Sequence, residues 1–163
     1  MKPSVYVESS IPSFLTGRPS RLLLVRAHQQ TTRRWWRTAP DRFRLFVSEL
    51  VLEEIQEGQP EAARRRLESV AGLPVLVSTE EIRALATGYQ RLLRLPDKAL
   101  VDLTHVGMAV VHEMDYLVTW NCAHIANPRF VREIARANQG AGRFMPMIVT
   151  PEGLLGLEEG ATQ

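Results

Sequence analysis

ALVDLTHVGMAVVHEMDYLVTWN, residues 99–121, decides the fold. Its first part is apolar on almost every side and continues a segment that opens at Leu95-Pro96-Asp97, which predicts a helix from about Asp97 to Glu113. A helix apolar all round is buried. The tail of the stretch, YLVT at 116–119, is short and β-rich and predicts a strand. A buried helix that feeds a short strand is the unit of a parallel sheet covered on both faces. Asp102 is the anomaly in this unit. No Lys or Arg lies between Ala99 and Val111 to compensate it, and a buried carboxylate needs a cation or strong donors. A bound metal ion is one answer, and backbone N–H groups of a neighbouring loop are another.

Working outward, the same alternation recurs. Strands are predicted at Ser4–Val7, Phe43–Val47, Pro74–Val77, Tyr116–Thr119 and Met147–Val149. A helical turn is predicted at Ile11–Leu15, and a longer helix from Pro19 to about Arg37, stopped by Pro40. Ser48 suits the N-cap of SELVLEEIQEG, with Gly58 as its stop. PEAARRRLESVAG runs from Pro60 to Gly72. Ser78 with Glu81 makes a capping-box pattern before IRALATGYQRLL. Asn127-Pro128 opens FVREIARAN, and Thr150-Pro151-Glu152 a last short helix.

The chain has 163 residues, 45% hydrophobic and 23% charged, as one globular domain should. The N-terminus has no apolar signal-peptide core. The longest uncharged apolar run, Leu103 to Val111, is far short of the roughly 20 residues that span a membrane. Cys122 is the only cysteine, so no intrachain disulfide can form. A cytoplasmic protein with no membrane role is expected. Net charge is +2, unevenly placed. Residues 1–46 carry nine Lys or Arg against two acids; the remainder carries eleven against sixteen. That asymmetry suits a polyanion-facing surface, or an ordinary solvated face.

Ligands of such sheets sit beyond the carboxyl ends of the strands. Glu8 follows the first strand, Asn121 the fourth, and Glu54 lies two turns into the helix after the second. With Asp102 they form the candidate site, and two or three acids at one edge suit a hard divalent cation such as Mg2+. Each also has an ordinary reading: Glu8 accepting from a helix N-terminus, Glu54 as a solvated residue, Asn121 capping a turn. Asp115 precedes its strand, roughly 15 Å from that edge, and reads as structural. His105 reads as orienting an acid or as a core histidine. Arg33, Arg34 and Arg37 beside Trp35 and Trp36 suit phosphate contact and base stacking, or core packing by the Trp pair with solvated Arg side chains. P-loop, GxGxxG and GxSxG patterns are absent.

In order along the chain, YVESSIPS (6–13), SELVLEEI (48–55), DLTHVGMA (102–109) and DYLVTWNCAHIAN (115–127) resemble the PIN-domain family, nearest its VapC-like toxin branch. The resemblance spans nearly the whole chain. It implies a three-layer α/β/α sandwich around a mostly parallel five-stranded sheet, over residues 1–155, with 156–163 as a flexible C-terminal tail. It implies a Mg2+-dependent ribonuclease, with Mn2+ possible, acting as the toxin of a type II toxin–antitoxin pair, homodimeric and silenced by an antitoxin protein. The first acid is matched by Glu8, the helix acid by Glu54 with Glu53 as competitor, and the third by Asp102. Asn121 matches the position usually filled by a late Asp, Asn or Ser. Two departures stand out: Glu8 replaces the usual Asp, and the fourth acid is missing. A catalytically weak PIN-fold module that binds RNA or protein is the alternative. A metal-dependent hydrolase of small phosphates ranks below both, for want of a phosphate-cradling Gly loop.

Overall fold

The computed structural model describes residues 1–160. Five strands, β1 (Ser4–Val7), β2 (Arg44–Ser48), β3 (Val75–Leu76), β4 (Tyr116–Val118) and β5 (Met147–Val149), form one sheet in the order β3-β2-β1-β4-β5. Every neighbouring pair is parallel. Val5, Tyr6 and Val7 of the central strand are fully buried, because helices cover both faces. The architecture is the expected three-layer α/β/α sandwich, with a sheet that is wholly parallel.

The helices are α1 (Ser10–Thr16), α2 (Leu23–Arg42), α3 (Glu49–Ile55), α4 (Pro60–Val70), α5 (Glu80–Leu93), α6 (Leu100–Val111), α7 (Pro128–Gly140) and α8 (Pro151–Gly160). α1 packs on α2 and α4, and α2 on α8; α5 packs on α6 and α7. The apolar stretch that opened the reading is α6, preceded by a 3-10 turn at Asp97–Ala99. It buries Leu103, His105, Val106, Gly107, Met108, Ala109 and Val110. Gly107 allows α5 close: a Cβ there would stand 3.2 Å from the Ile82 carbonyl oxygen.

Several boundaries differ from expectation. The long helix begins at Leu23, not Pro19, because Gln29 accepts from the Ser20 N–H (3.0 Å) and the Ser20 hydroxyl accepts from the Leu22 N–H (3.1 Å). Those bonds hold Leu22 extended. The same helix passes through Pro40 and ends at Arg42, closed by the Phe43 N–H on the Ala39 carbonyl (2.8 Å). Proline in a last turn forfeits one helical bond without ending the helix at once. α5 is capped by Thr79, whose hydroxyl accepts from the Ile82 N–H, rather than by Ser78. The Ser78 N–H is engaged by Glu49 (3.0 Å). Gly58 and Gly72, the expected helix stops, have φ of +87° and +83°, where glycine is favoured. α8 carries residues 156–160 as helix, and the rest of the expected tail, 161–163, lies outside the described residues. Among the described residues no helix is long and apolar enough to cross a membrane.

Candidate metal and phosphate site

Strand order reverses between β1 and β4, and the crevice beyond the carboxyl ends at such a reversal is where parallel sheets generally take a ligand. Glu8 leaves β1 there and Thr119-Trp120-Asn121 leave β4. The Glu8 N–H extends the pairing to the Val118 carbonyl (3.2 Å). A cleft of about 620 Å3 opens at this edge, lined by Glu8, Glu54, Asp102 and Asn121 together. All four residues expected at one edge therefore meet. Glu53 is exposed and does not line the cleft; the Ser48 cap sets the register of α3 and turns Glu54 inward.

Glu8 is 5% exposed and heavily held. It accepts from the Ser9 hydroxyl (2.8 Å), the Ser10 N–H (3.0 Å), the Ser10 hydroxyl and the Thr119 hydroxyl (2.8 Å). The longer side chain in place of the usual Asp folds back to stitch β1, α1 and the end of β4 together. The reading of Glu8 as an acceptor from a helix N-terminus is thus realised, and the carboxylate still faces the cleft.

Glu54, whose side chain is 32% exposed, bonds through Oε1 to the Nε2 of fully buried His105. The Nδ1 of His105 lies 2.7 Å from the Tyr6 hydroxyl, which lies 2.7 Å from the Ser48 hydroxyl. Burial pushes the Tyr6 phenol well above its ordinary pKa, with the Ser48 bond opposing it, so Tyr6 keeps its proton. With the Tyr6 O–H donating to Nδ1, the neutral imidazole carries its proton on Nε2 and donates it to Glu54, and the Ser48 O–H donates to Tyr6. The Ser48 oxygen also accepts the Val51 N–H that caps α3 (3.1 Å). His105 therefore orients an acid, and a buried chain orients His105.

Asp102, 24% exposed at the side chain, bonds to the Asn121 amide N–H (Oδ1, 3.1 Å) and His124 Nδ1 (Oδ2, 2.8 Å). Its partners are side chains, not a loop backbone. The Asn121 amide oxygen accepts from the His124 N–H (3.1 Å), so Asn121 both caps that turn and aims Asp102. Sequence reasoning missed His124 as a partner of Asp102, along with the hydroxyl donors to Glu8. The signal for His124 was its spacing three residues after Asn121, on the turn beyond the strand.

Among the described residues, no Lys or Arg pairs with these three carboxylates. Arg66 lines the cleft, but its guanidinium donates to the carbonyls of Ile55 (2.8 Å) and Glu57. The Ser9 hydroxyl lies 2.8 Å from Glu8 and 3.2 Å from Glu54, and its single proton serves one at a time. Glu54 Oε2 has no hydrogen bond among the described residues. The donor set is hard oxygen, short of positive charge, and fits one divalent cation. No group of three His, Cys, Asp or Glu among the described residues is placed to hold a metal ion by itself. The fit is that of an ion completed by water and phosphate oxygens, as Mg2+ prefers.

For the Trp pair of the basic helix, the core-packing reading is the one observed. Trp35 is fully buried and Trp36 packs against the core. Arg33 donates to the carbonyls of Leu15 (3.1 Å) and Gly17 (2.7 Å), tying α2 to the end of α1, while Arg34 and Arg37 are exposed. His112, far from Asp102, bonds the Val77 carbonyl (2.9 Å). Asp115 sits at the opposite edge, accepting from the Ser4 N–H (2.7 Å) and hydroxyl (2.8 Å).

No family model and no curated protein matches the chain. Solved structures do. VapC20 from Mycobacterium tuberculosis, a Sarcin-Ricin loop cleaving toxin, matches at 18% identity and a TM-score of 0.57, over 77% of this chain and 95% of that one. VapBC2 from Rickettsia felis, bound to a DNA fragment from their promoter, matches at 12% identity and a TM-score of 0.58, over 90% and 97%. The chain has the PIN-domain fold of these VapC proteins.

Proposed function

We propose that this protein, having the VapC fold, is a metal-dependent ribonuclease that hydrolyses phosphodiester bonds in RNA, and is the toxin of a toxin–antitoxin pair. One observation carries the reading: three carboxylates without Lys or Arg partners among the described residues line a single cleft at the point where strand order reverses. Glu8, Glu54 and Asp102 would hold Mg2+ or Mn2+, directly or through water. Such an ion, when bound, neutralises the scissile phosphate and acidifies a bound water. Glu54 Oε2, the carboxylate oxygen of the cluster without a hydrogen bond among the described residues, is suited to accept the proton of the attacking water. His105 keeps the other Glu54 oxygen fixed meanwhile, and Asn121 with His124 keeps Asp102 pointed at the cleft.

Arg34 and Arg37 would lie along the strand, with Arg33 bracing α1. An antitoxin segment covering the cleft would silence the enzyme in the cytoplasm. Exposed Leu22, Leu23 and Leu24 at the start of α2 offer an apolar patch for a homodimer.

A second reading, a PIN-fold module that binds RNA or protein with little catalysis, draws on a specific observation. Glu8 is already satisfied by four donors, so its share in holding a metal is small. A nuclease assay on mixed RNA with Mg2+, Mn2+ or EDTA separates the two. The ribonuclease cleaves with metal, stops with EDTA, and loses about a hundredfold or more in Asp102→Asn, as removal of a charged group acting on the transition state does. Equal cleavage by Asp102→Asn would sink the assignment, and no cleavage with any metal selects the binding module.

A further inference from the structure

We propose that Phe14 and Trp120 form a shelf on which a nucleobase of single-stranded RNA stacks beside the acids. The inference rests on the RNA reading above and adds a base-binding subsite to it. Both rings line the same cleft as Glu8, Glu54 and Asp102. Their centroids are 6.2 Å apart and the planes tilt by 58°. Both are partly buried, Trp120 with part of its ring against the core, yet both reach the cleft; of the basic helix, Trp35 is fully buried and Trp36 packs against the core without lining the cleft.

The shelf is rigid. The Trp120 indole N–H donates to the Thr32 hydroxyl (2.8 Å), and Thr32 donates onward to the His28 carbonyl (2.6 Å). The His28 imidazole, which does not line the cleft, stacks on Trp120 at 4.0 Å and 13° and meets Phe14 edge-on at 5.7 Å. The Trp120 backbone N–H donates to the Ser10 hydroxyl (2.9 Å), the same hydroxyl that bonds Glu8. A single serine thus fixes the shelf relative to the first acid. His28 covers one face of Trp120, and the partly exposed aromatic surface that remains at the cleft, with its rotamers already fixed, loses little entropy on binding a flat apolar partner. A nucleobase is that partner when its phosphate lies at the acids. In a duplex the base faces are already stacked, so the shelf selects single strands, largely without regard to sequence.

The test is binding by the full chain carrying Asp102→Asn, so that RNA survives. Two probes of equal length and charge are compared: a single-stranded RNA and an abasic ribose-phosphate strand. RNA is expected to bind about tenfold tighter or better, which is within what one stacked base contributes. It should also quench a part of the tryptophan emission that is missing in Trp120→Phe. Phe14→Leu keeps the packing volume and loses the flat face, so it should bring RNA down toward the abasic strand while abasic binding stays unchanged. Equal binding of the two strands, or of neither, overturns the shelf, and that comparison needs no further variant to fold. Base-dependent binding without cleavage by the parent would end the ribonuclease reading and leave the shelf standing. Cleavage with base-independent binding would do the reverse.

Discussion

Asn121 places an amide N–H 3.1 Å from Asp102, where the family pattern often has another acid. An Asp there would set two carboxylates at hydrogen-bond distance with no proton between them. Like charges so close in a half-buried cleft repel unless a cation intervenes. Asn121→Asp should therefore lower Tm in EDTA by several degrees, taking a cost of about 1–2 kcal/mol and about 2–4 °C per kcal/mol at this chain length. Added Mg2+ should restore more of Tm in the variant than it adds to the parent. Thermal melts with and without Mg2+ check this, and an equal Mg2+ response in both proteins would argue against a metal between these residues. At the same scale, the Glu54–His105–Tyr6–Ser48 chain explains why a histidine lies fully buried in the core: each of its nitrogens has a partner, so its burial is affordable.

Among the elements, α3 is the one whose start bears on chemistry. Ser48 caps it through the Val51 N–H and also bonds Tyr6. Thr79 caps α5 in the same manner, accepting from the Ile82 N–H, away from the cleft. Ser48→Ala and Thr79→Ala should each cost about 1 kcal/mol of stability as lost N-caps. Only Ser48→Ala should also lower the proposed nuclease activity, because it frees Tyr6, then His105, then the Glu54 carboxylate. Denaturant midpoints together with cleavage rates test the pair, and equal loss of activity in both would reduce Ser48 to a cap.

For the whole molecule, the sheet is pinned at both edges. At the amino edge Asp115 bridges β4 to β1, and its carboxyl is held below the usual range first by the Ser4 backbone N–H and then by the Ser4 hydroxyl. The folded pKa is the lower one, so the unfolded chain takes up this proton first as pH falls. The contribution is fully present above the unfolded value of about 4 and is lost as pH falls through the folded value. Stability of the parent should decline below pH 4 more steeply than that of Asp115→Asn, measured by urea unfolding from pH 7 to pH 2. Identical slopes would remove Asp115 from the acid response. At the carboxyl edge Glu8 does the equivalent stitching, joining β1, α1 and β4.

Residues 99–121 by themselves determined a buried helix feeding a buried strand, and the repetition of that unit determined a parallel sheet with helices on both faces. Placing Glu8 and Asn121 at the carboxyl edge needed only the period of the pattern, since a parallel sheet puts all strand ends on one side; Glu54 and Asp102 lie on the helices α3 and α6, and the resemblance to the PIN-domain motifs added them to the set. Helix ends were less legible: Ser20, Gln29 and Glu49 shifted them through bonds to partners elsewhere in the chain, which local propensity does not contain. The tertiary structure alone decided that Glu54 and not Glu53 turns inward. It also decided that Trp35 goes to the core while Phe14 and Trp120 reach the cleft, and that His124 holds Asp102. The physical reason is common to all three. Strand and helix periodicity fixes which face of an element is buried, but which side chains meet across elements depends on how those elements pack, and residues 6, 48 and 105 come together only when three distant segments do.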